Sequence, residues 1–245
     1  MGRILIRNGH IVDPANRIDA TGDLLIADGK IDQVGGCIEL GGASSVNVID
    51  AEGLIVTPGL IDMHVHLREP GFEYKETIAS GTRAAATGGY TSVACMANTD
   101  PVADSPEIIE FVKTQAQKCG SANVFPLGSI TKNLAGEELT DVPALLEAGA
   151  VAVSDDGKTV MNAELMRGVL ALSAELDFPV MVHCEEHNLN AGAVMNLGEI
   201  SRKLNLPGSA NAAEDIIVAR DIMLAELTAG HIHILHVSTA GAVEL

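Results

Sequence analysis

Tryptophan is absent from this chain, and Phe, Tyr and Trp together make up 2% of its 245 residues. Stacking platforms for bases or sugar rings are therefore not expected. Basic residues are also few: 15 Lys and Arg stand against 33 Asp and Glu, a formal charge of −18. Nucleic-acid binding rests on neutralising phosphates, so this balance argues against nucleic acid as a partner. The acidity itself reads as solubility. The four cysteines, Cys37, Cys95, Cys119 and Cys184, form no CxxC pair. That argues against a disulfide framework and a zinc ribbon, and fits a reducing cytoplasm. No apolar run reaches the roughly eighteen residues of a membrane span. The opening MGRILIRNGHIVDP lacks the apolar core and cleavage site of a signal peptide. No GxGxxG follows the first strand-like segment, which weakens a dinucleotide-binding reading.

Hydrophobic residues make up 47% of the chain, enough for a sizeable core. Residues 1–56 read as a small β-layer, the N-terminal part of a β-sandwich. Its strand-like segments are ILIRNGHIVD (4–13), DLLIADGKIDQVGG (23–36) and VNVIDAEGLIVTPG (46–59), with Asp-Gly and Gly-Gly turn signals. From residue 57 to 245 strand and helix alternate. Strands are expected at 60–66, 90–97, 123–130, 150–156, 179–185 and 231–238. Helices are expected at 76–89, 106–120 with Ser105 as N-cap, 142–149, 163–177 and 212–230. Repeated βα units with near-continuous apolar strands imply a parallel sheet covered by helices. We expect a (β/α)8 barrel of the metal-dependent hydrolase kind, incomplete at about six βα units.

The residues with chemistry favour the barrel. His64 and His66 form an HxH at the C-terminal end of the first of these strands, and period-two alternation turns both rings to one side. Asp156 ends the fourth strand, and His183 and His236 lie near the ends of the fifth and sixth. Ligand-type residues thus gather at the strand ends where barrel active sites sit. His64 and His66 would hold one ion, His183 and His236 a second, and Asp156 would bridge them, zinc being the first choice ahead of manganese or cobalt. Two such ions about 3.5–4 Å apart can acidify a shared water, and the hydroxide can attack an amide carbonyl. Arg68 continues the series 64, 66, 68 and can grip a substrate carboxylate; the competing reading is a surface ion pair with Glu69 or Glu73. Asn98 can bind the same carboxylate or a ring amide; the competing reading is a turn residue before Asp-Pro. His231 and His233 lie at the far end of their strand and read as structural. His10 and His187 read as surface residues, and Cys184 as a buried inert thiol.

GLIDMHVHLREPG (59–71), ATGGYTSVACMANTDP (86–101), SDDGKTV (154–160), VMVHCE (180–185) and HILHVSTAGAVEL (233–245) resemble bacterial dihydroorotases of the class I type. The resemblance runs through all 245 residues. It implies reversible hydrolysis of the cyclic amide of dihydroorotate to N-carbamoyl-L-aspartate, a step of pyrimidine biosynthesis, in the cytoplasm. It assigns His64 and His66 to the first zinc, His183 and His236 to the second, and Asp156 to both, with Asp155 the adjacent candidate. It assigns His66, Arg68 and Asn98 to substrate. A second copy of the chain and aspartate carbamoyltransferase are the protein partners to consider. Two departures stand out. Ala97 replaces the usual Pro of MPNTxP. The family barrel has eight strands, and its general acid/base Asp follows the eighth, beyond residue 245, so the chain alone is expected to be inactive.

Two other readings compete. Hydantoinases and allantoinases, the related cyclic amidohydrolases, usually bridge their metals with a carboxylated Lys on strand four, whereas this chain has Ser154-Asp155-Asp156 there and Lys158 only beyond it. The other is a non-catalytic scaffold partner of aspartate carbamoyltransferase: all five ligand-type residues are present, which argues against loss of function by substitution and leaves loss by truncation open.

Overall fold

A computed structural model describes residues 2–40 and 46–245. The chain forms two compact units, Met1–Leu60 and Ile61–Leu245. In the first, strands β1 (Arg3–Asp13), β2 (Ile18–Ala27), β3 (Lys30–Val34) and β4 (Val46–Asp50) form one sheet in the order β3-β2-β1-β4, and β5 (Ile55–Val56) also pairs with β1. β1–β2 and β2–β3 are antiparallel, whereas β4 and β5 run parallel to β1. The segment expected as one strand at 23–36 is two strands. Asp28 and Gly29, with φ of 50° and 77°, turn the chain between them, as an Asp-Gly hairpin does. β2 also starts earlier than expected, at Ile18, because its polar start IDATGD carries little apolar alternation. Leu5, Leu25 and Ile38 form the buried centre of this unit.

The second unit is α/β, with its elements close to their expected places: β6 (Leu60–Val65), α1 (Ile78–Thr87), β7 (Tyr90–Cys95), α2 (Pro106–Cys119), β8 (Asn123–Pro126), α3 (Val142–Ala148) and α4 (Ala163–Leu176). β9 (Val180–Val182) precedes a long connection that carries α5 (His187–Asn190), β10 (Met195–Asn196), α6 (Glu199–Leu204) and β11 (Gly208–Ser209). α7 (Ala212–Thr228), β12 (Ile232–Ile234) and α8 (Ala240–Glu244) follow. β6, β7 and β8 pair in that order, and β9 pairs with β12. Val153 joins the two groups through parallel bridges to Gly128 and Val180. The six strand positions therefore follow one another across the sheet in chain order.

The fourth strand, expected at 150–156, is reduced to these bridges. Next to it, backbone N–H groups of Ile130 and Thr131 donate to the Asp155 carboxylate at 2.7 and 3.0 Å instead of to a ladder carbonyl. Ser105 does precede α2, but its side chain makes no capping bond; Pro106 begins that helix. Thr77 and Asn162 do cap α1 and α4 through their side chains.

Alternation sorts the core into two faces. Ala94, Met96, Leu127, Ala152, Met181 and Leu235 pack together on the face turned away from the helices. Their neighbours Val153, Val180 and Val182 pack on the other face with Met166, Val169 and Leu170 of α4 and Ile217 and Val218 of α7. Leu170 is 0% exposed at the centre of that layer. Leu170→Ala should cost about 2–5 kcal/mol, the range for a large-to-small change in a rigid core. Urea unfolding would measure it. A loss below about 1 kcal/mol would mean that the α4 layer is loosely packed.

Candidate metal centre

The same alternation delivers most of the candidate ligands to the inner face. Val65 packs with Leu67, Ile78 and Val93 toward the helices, so His64 and His66 turn the other way. Asp156 is in phase with Ala152, and His183 with Met181, both inner residues. His236 is out of phase, because its neighbour Leu235 fills the inner face. The backbone at His236 has a φ of +31°, and this turn brings its ring back to the site.

Four rings surround one carboxylate. Asp156 Oδ2 lies 3.4 Å from His64 Nε2 and 3.4 Å from His66 Nε2. Its Oδ1 lies 3.2 Å from His236 Nε2 and 3.6 Å from His183 Nδ1. Within the pairs, His64 Nε2 and His66 Nε2 are 3.3 Å apart, and His183 Nδ1 and His236 Nε2 are 3.2 Å apart. Ligands held about 2.1 Å from a tetrahedral ion are separated by about 3.4 Å. Each triangle, His64–His66–Asp156 and Asp156–His183–His236, has sides of that size and can hold a metal ion. A donor set of imidazole nitrogens with one carboxylate oxygen apiece suits a transition-metal dication. His10, His187, His231 and His233 belong to neither group.

Burial acts to raise the Asp156 pKa, but hydrogen bonding to His183 and His236 and the charges of His64 and His66 outweigh it, and the carboxyl is held well below its ordinary range. It is an ionised carboxylate at neutral pH. The hydrogen bond to Asp156 raises His183 above an ordinary imidazole despite burial. Burial lowers His64, with Asp156 pulling it up and the neighbouring imidazoles pushing it further down.

Other side chains hold this set in place. Asn98 Oδ1 lies 3.0 Å from His66 Nδ1, and its Nδ2 donates to the Asp156 carbonyl oxygen at 3.4 Å. With Nδ1 donating to Asn98, His66 presents the bare Nε2 to the site. Glu185 Oε2 lies 3.6 Å from His183 Nε2, the nitrogen turned away from Asp156. Thr159 Oγ1 contacts the carbonyl oxygens of His183 and Glu185 at 2.9 and 2.7 Å, tying the DDGKT segment to the loop after β9. Asp155, next to Asp156, is turned away from the histidines and is held by Ile130 and by both the N–H and the hydroxyl of Thr131. Sequence reasoning missed the parts played by Thr159 and Glu185. The adjacency of Glu185 to the HC pair was the one available signal.

Arg68 requires a correction in geometry. β6 ends at Val65 and Arg68 has a φ of +62°, so strand alternation does not extend from His64 to it. Its competing surface role also fails among the described residues. Glu69 is buried, accepting from Ile78 N at 2.8 Å and Gln115 Nε2 at 3.0 Å, and Glu73 accepts from Gly71 N at 2.9 Å. Cys184 is buried with Sγ 3.8 Å from Asp221 Oδ2, and burial, reinforced by that carboxylate, pushes its thiol pKa up. It is an unreactive thiol.

The family model described as "Dihydro-orotase-like" matches residues 53–242. Dihydroorotase of Pelotomaculum thermopropionicum is 54% identical over 99% of the chain, and dihydroorotase of Syntrophus aciditrophicus is 47% identical over 99%. The chain belongs to the dihydro-orotase-like family. It spans 56% and 57% of the length of those two relatives. Among solved structures, L-hydantoinase from Arthrobacter aurescens superposes with a TM-score of 0.80 at 20% identity, over 100% of this chain and 55% of its own. A D-hydantoinase superposes at 0.76 and 28% identity, over 99% of this chain and 54% of its own. The fold is that of the cyclic amidohydrolases.

The opposite shifts of His183 and His64 give a test. A raised pKa leaves more of the His183 imidazolium to be deprotonated near neutrality, whereas a lowered pKa leaves less of His64 protonated. Zinc entering the His183–His236 triangle should therefore displace more protons than zinc entering the His64–His66 triangle. Calorimetry at about pH 6.5 in buffers of different ionisation enthalpy reads the proton count. His66→Ala, which leaves the second triangle intact, should release more protons per ion than His236→Ala. The reverse order would show that the electrostatic ranking is wrong.

Proposed function

We propose that the protein carrying this chain is a dihydroorotase, which hydrolyses the cyclic amide of dihydroorotate to N-carbamoyl-L-aspartate and closes it again. The observation that carries this reading is Asp156, with one oxygen facing each histidine pair. A carboxylate of the chain itself takes the bridging place, where hydantoinases and allantoinases would be expected to use a carboxylated lysine. The names of the relatives at 47–54% identity agree.

In this reading residues 57–245 are an incomplete (β/α)8 barrel, residues 1–56 are part of a β-sandwich, and the protein works in the cytoplasm. Zinc is the metal: His64 and His66 hold one ion, His183 and His236 the other, and Asp156 both. Bound there, a pair of zinc ions would supply an acidified water and an electrophile for the amide carbonyl. Asp156 stays ionised and carries no proton. Arg68 takes the substrate carboxylate through paired hydrogen bonds. Asn98 orients His66 and offers its amide to the same end of the substrate. A second copy of the chain and aspartate carbamoyltransferase are the protein partners to test.

The direct assay is hydrolysis of dihydroorotate beside hydantoin and allantoin, with and without chelator. Dihydroorotate should be the preferred substrate, chelation should abolish turnover, and zinc should restore it. Asp156→Ala should lose both turnover and tightly held metal, since removing the shared ligand leaves each ion with two imidazoles. Preference for hydantoin, or near-normal turnover by Asp156→Ala, would falsify this reading.

Arg68→Lys should lower kcat/KM about tenfold to a hundredfold, because an ammonium cannot make the two-pronged contact. Metal content should be unchanged. Unaltered catalysis in this variant would remove Arg68 from the substrate site.

A further inference from the structure

His236 is the ligand that strand geometry does not place. β12 ends at Ile234, and the last bond to the neighbouring strand runs from Leu235 N to Val182 O at 3.1 Å. Val237 is 42% exposed and offers no buried anchor. The next fixed point is Ser238, and what fixes it is Glu214 in the first turn of α7. Ser238 N donates to Glu214 Oε1 at 2.9 Å and Oε2 at 3.2 Å, and Ser238 Oγ donates to Oε2 at 2.5 Å. Thr239 N donates to Oε1 at 3.0 Å, with the Thr239 hydroxyl at 3.1 Å. One carboxylate thus meets both backbone donors and both hydroxyls of the turn that follows His236. Asp215 adds a contact between its Oδ1 and the Thr239 hydroxyl at 2.5 Å.

The same helix turn also holds the other half of the pair. The carbonyl oxygen of Ala213 accepts from Glu186 N at 2.8 Å, three residues beyond His183. Adjacent residues of α7 therefore grip the loop after His183 and the loop after His236, whose ring nitrogens lie 3.2 Å apart.

We propose that Glu214 is a positioning residue for the second metal, and that the first turn of α7 sets the spacing of the His183–His236 pair. The inference rests on the two-ion reading of the site. Glu214 touches neither ion nor substrate in it; it holds the left-handed backbone at His236 against relaxation. Backbone N–H groups bonded to a carboxylate are charge-assisted and stronger than neutral bonds. Glutamine keeps the size of the side chain but replaces one acceptor oxygen with an amino group facing donors.

The test is zinc affinity, read by competition with a chromophoric chelator, together with ions bound per chain and thermal stability. The unmodified protein should bind two ions. Glu214→Gln should weaken one site about 10–100-fold, the usual cost of losing an outer-shell partner, and leave the other unchanged. In a His66→Ala background, where only the second site remains, the full loss should reappear. Ser238→Ala, which removes one bond and cannot bury a charge, should shift the same site in the same direction by less than about tenfold. The proposal is overturned if both variants keep both affinities, or if both sites weaken together in step with a fall in Tm. If the unmodified protein takes up fewer than two ions, the two-ion reading is at fault and this one falls with it.

Discussion

The structure depends on an unfavourable grouping: four imidazoles gathered round one carboxylate, with nitrogen and oxygen atoms 3.2–3.6 Å apart. Bare lone pairs at that separation repel. The grouping is stable only when something positive lies between them, either protons or metal cations. In the protonated case Asp156 collects the charge, which is why its pKa falls while that of His183 rises. With metal in their place, the same two oxygens would be divided between two ions. Protons and cations compete for one set of atoms, so the affinity of the centre for metal is inseparable from its titration.

The rest of the second unit keeps those atoms from drifting apart. The inner face of the sheet, packed with Ala94, Met96, Leu127, Ala152, Met181 and Leu235, gives the ligands a rigid floor. Above it the strands stop short, and side chains replace the ladder as partners of the backbone. Asp155 takes the N–H groups of Ile130 and Thr131, Thr159 bridges to the loop after β9, and Glu214 takes those of Ser238 and Thr239. Arg68 and His236 have φ of +62° and +31°. Left-handed backbone costs an L-residue roughly 1–2 kcal/mol, and it persists where surrounding bonds over-determine it.

Much of this was legible in the sequence because period-two alternation is a strong signal in apolar strands. His64, Asp156 and His183 follow it, and the main strands and helices of the second unit followed from apolar periodicity with turn and cap signals, whereas the short elements α5, β10, α6 and β11 of the long connection did not. The choice between Asp155 and Asp156 rested on the family pattern, since the sequence alone did not show that so irregular a fourth strand keeps its phase from Ala152 to Asp156. In the structure Thr131 occupies Asp155 from 24 residues away in the chain. Arg68 and His236 were placed by extending strands beyond their true ends. The ring of His236 reaches Asp156 and His183 through a local backbone turn beside Glu214 that the sequence does not reveal. Asn98 was read as a substrate contact, and its bonds to His66 and to the Asp156 carbonyl add a task that the motif MANTDP does not spell out.

The shared role of Asp156 is the claim on which the account stands, and anomalous diffraction from zinc-loaded crystals tests it most directly. Two anomalous peaks should flank Asp156, each about 2.0–2.2 Å from a different carboxylate oxygen, one beside His64 and His66 and the other beside His183 and His236. A single peak, or two peaks of which only one touches Asp156, would contradict it.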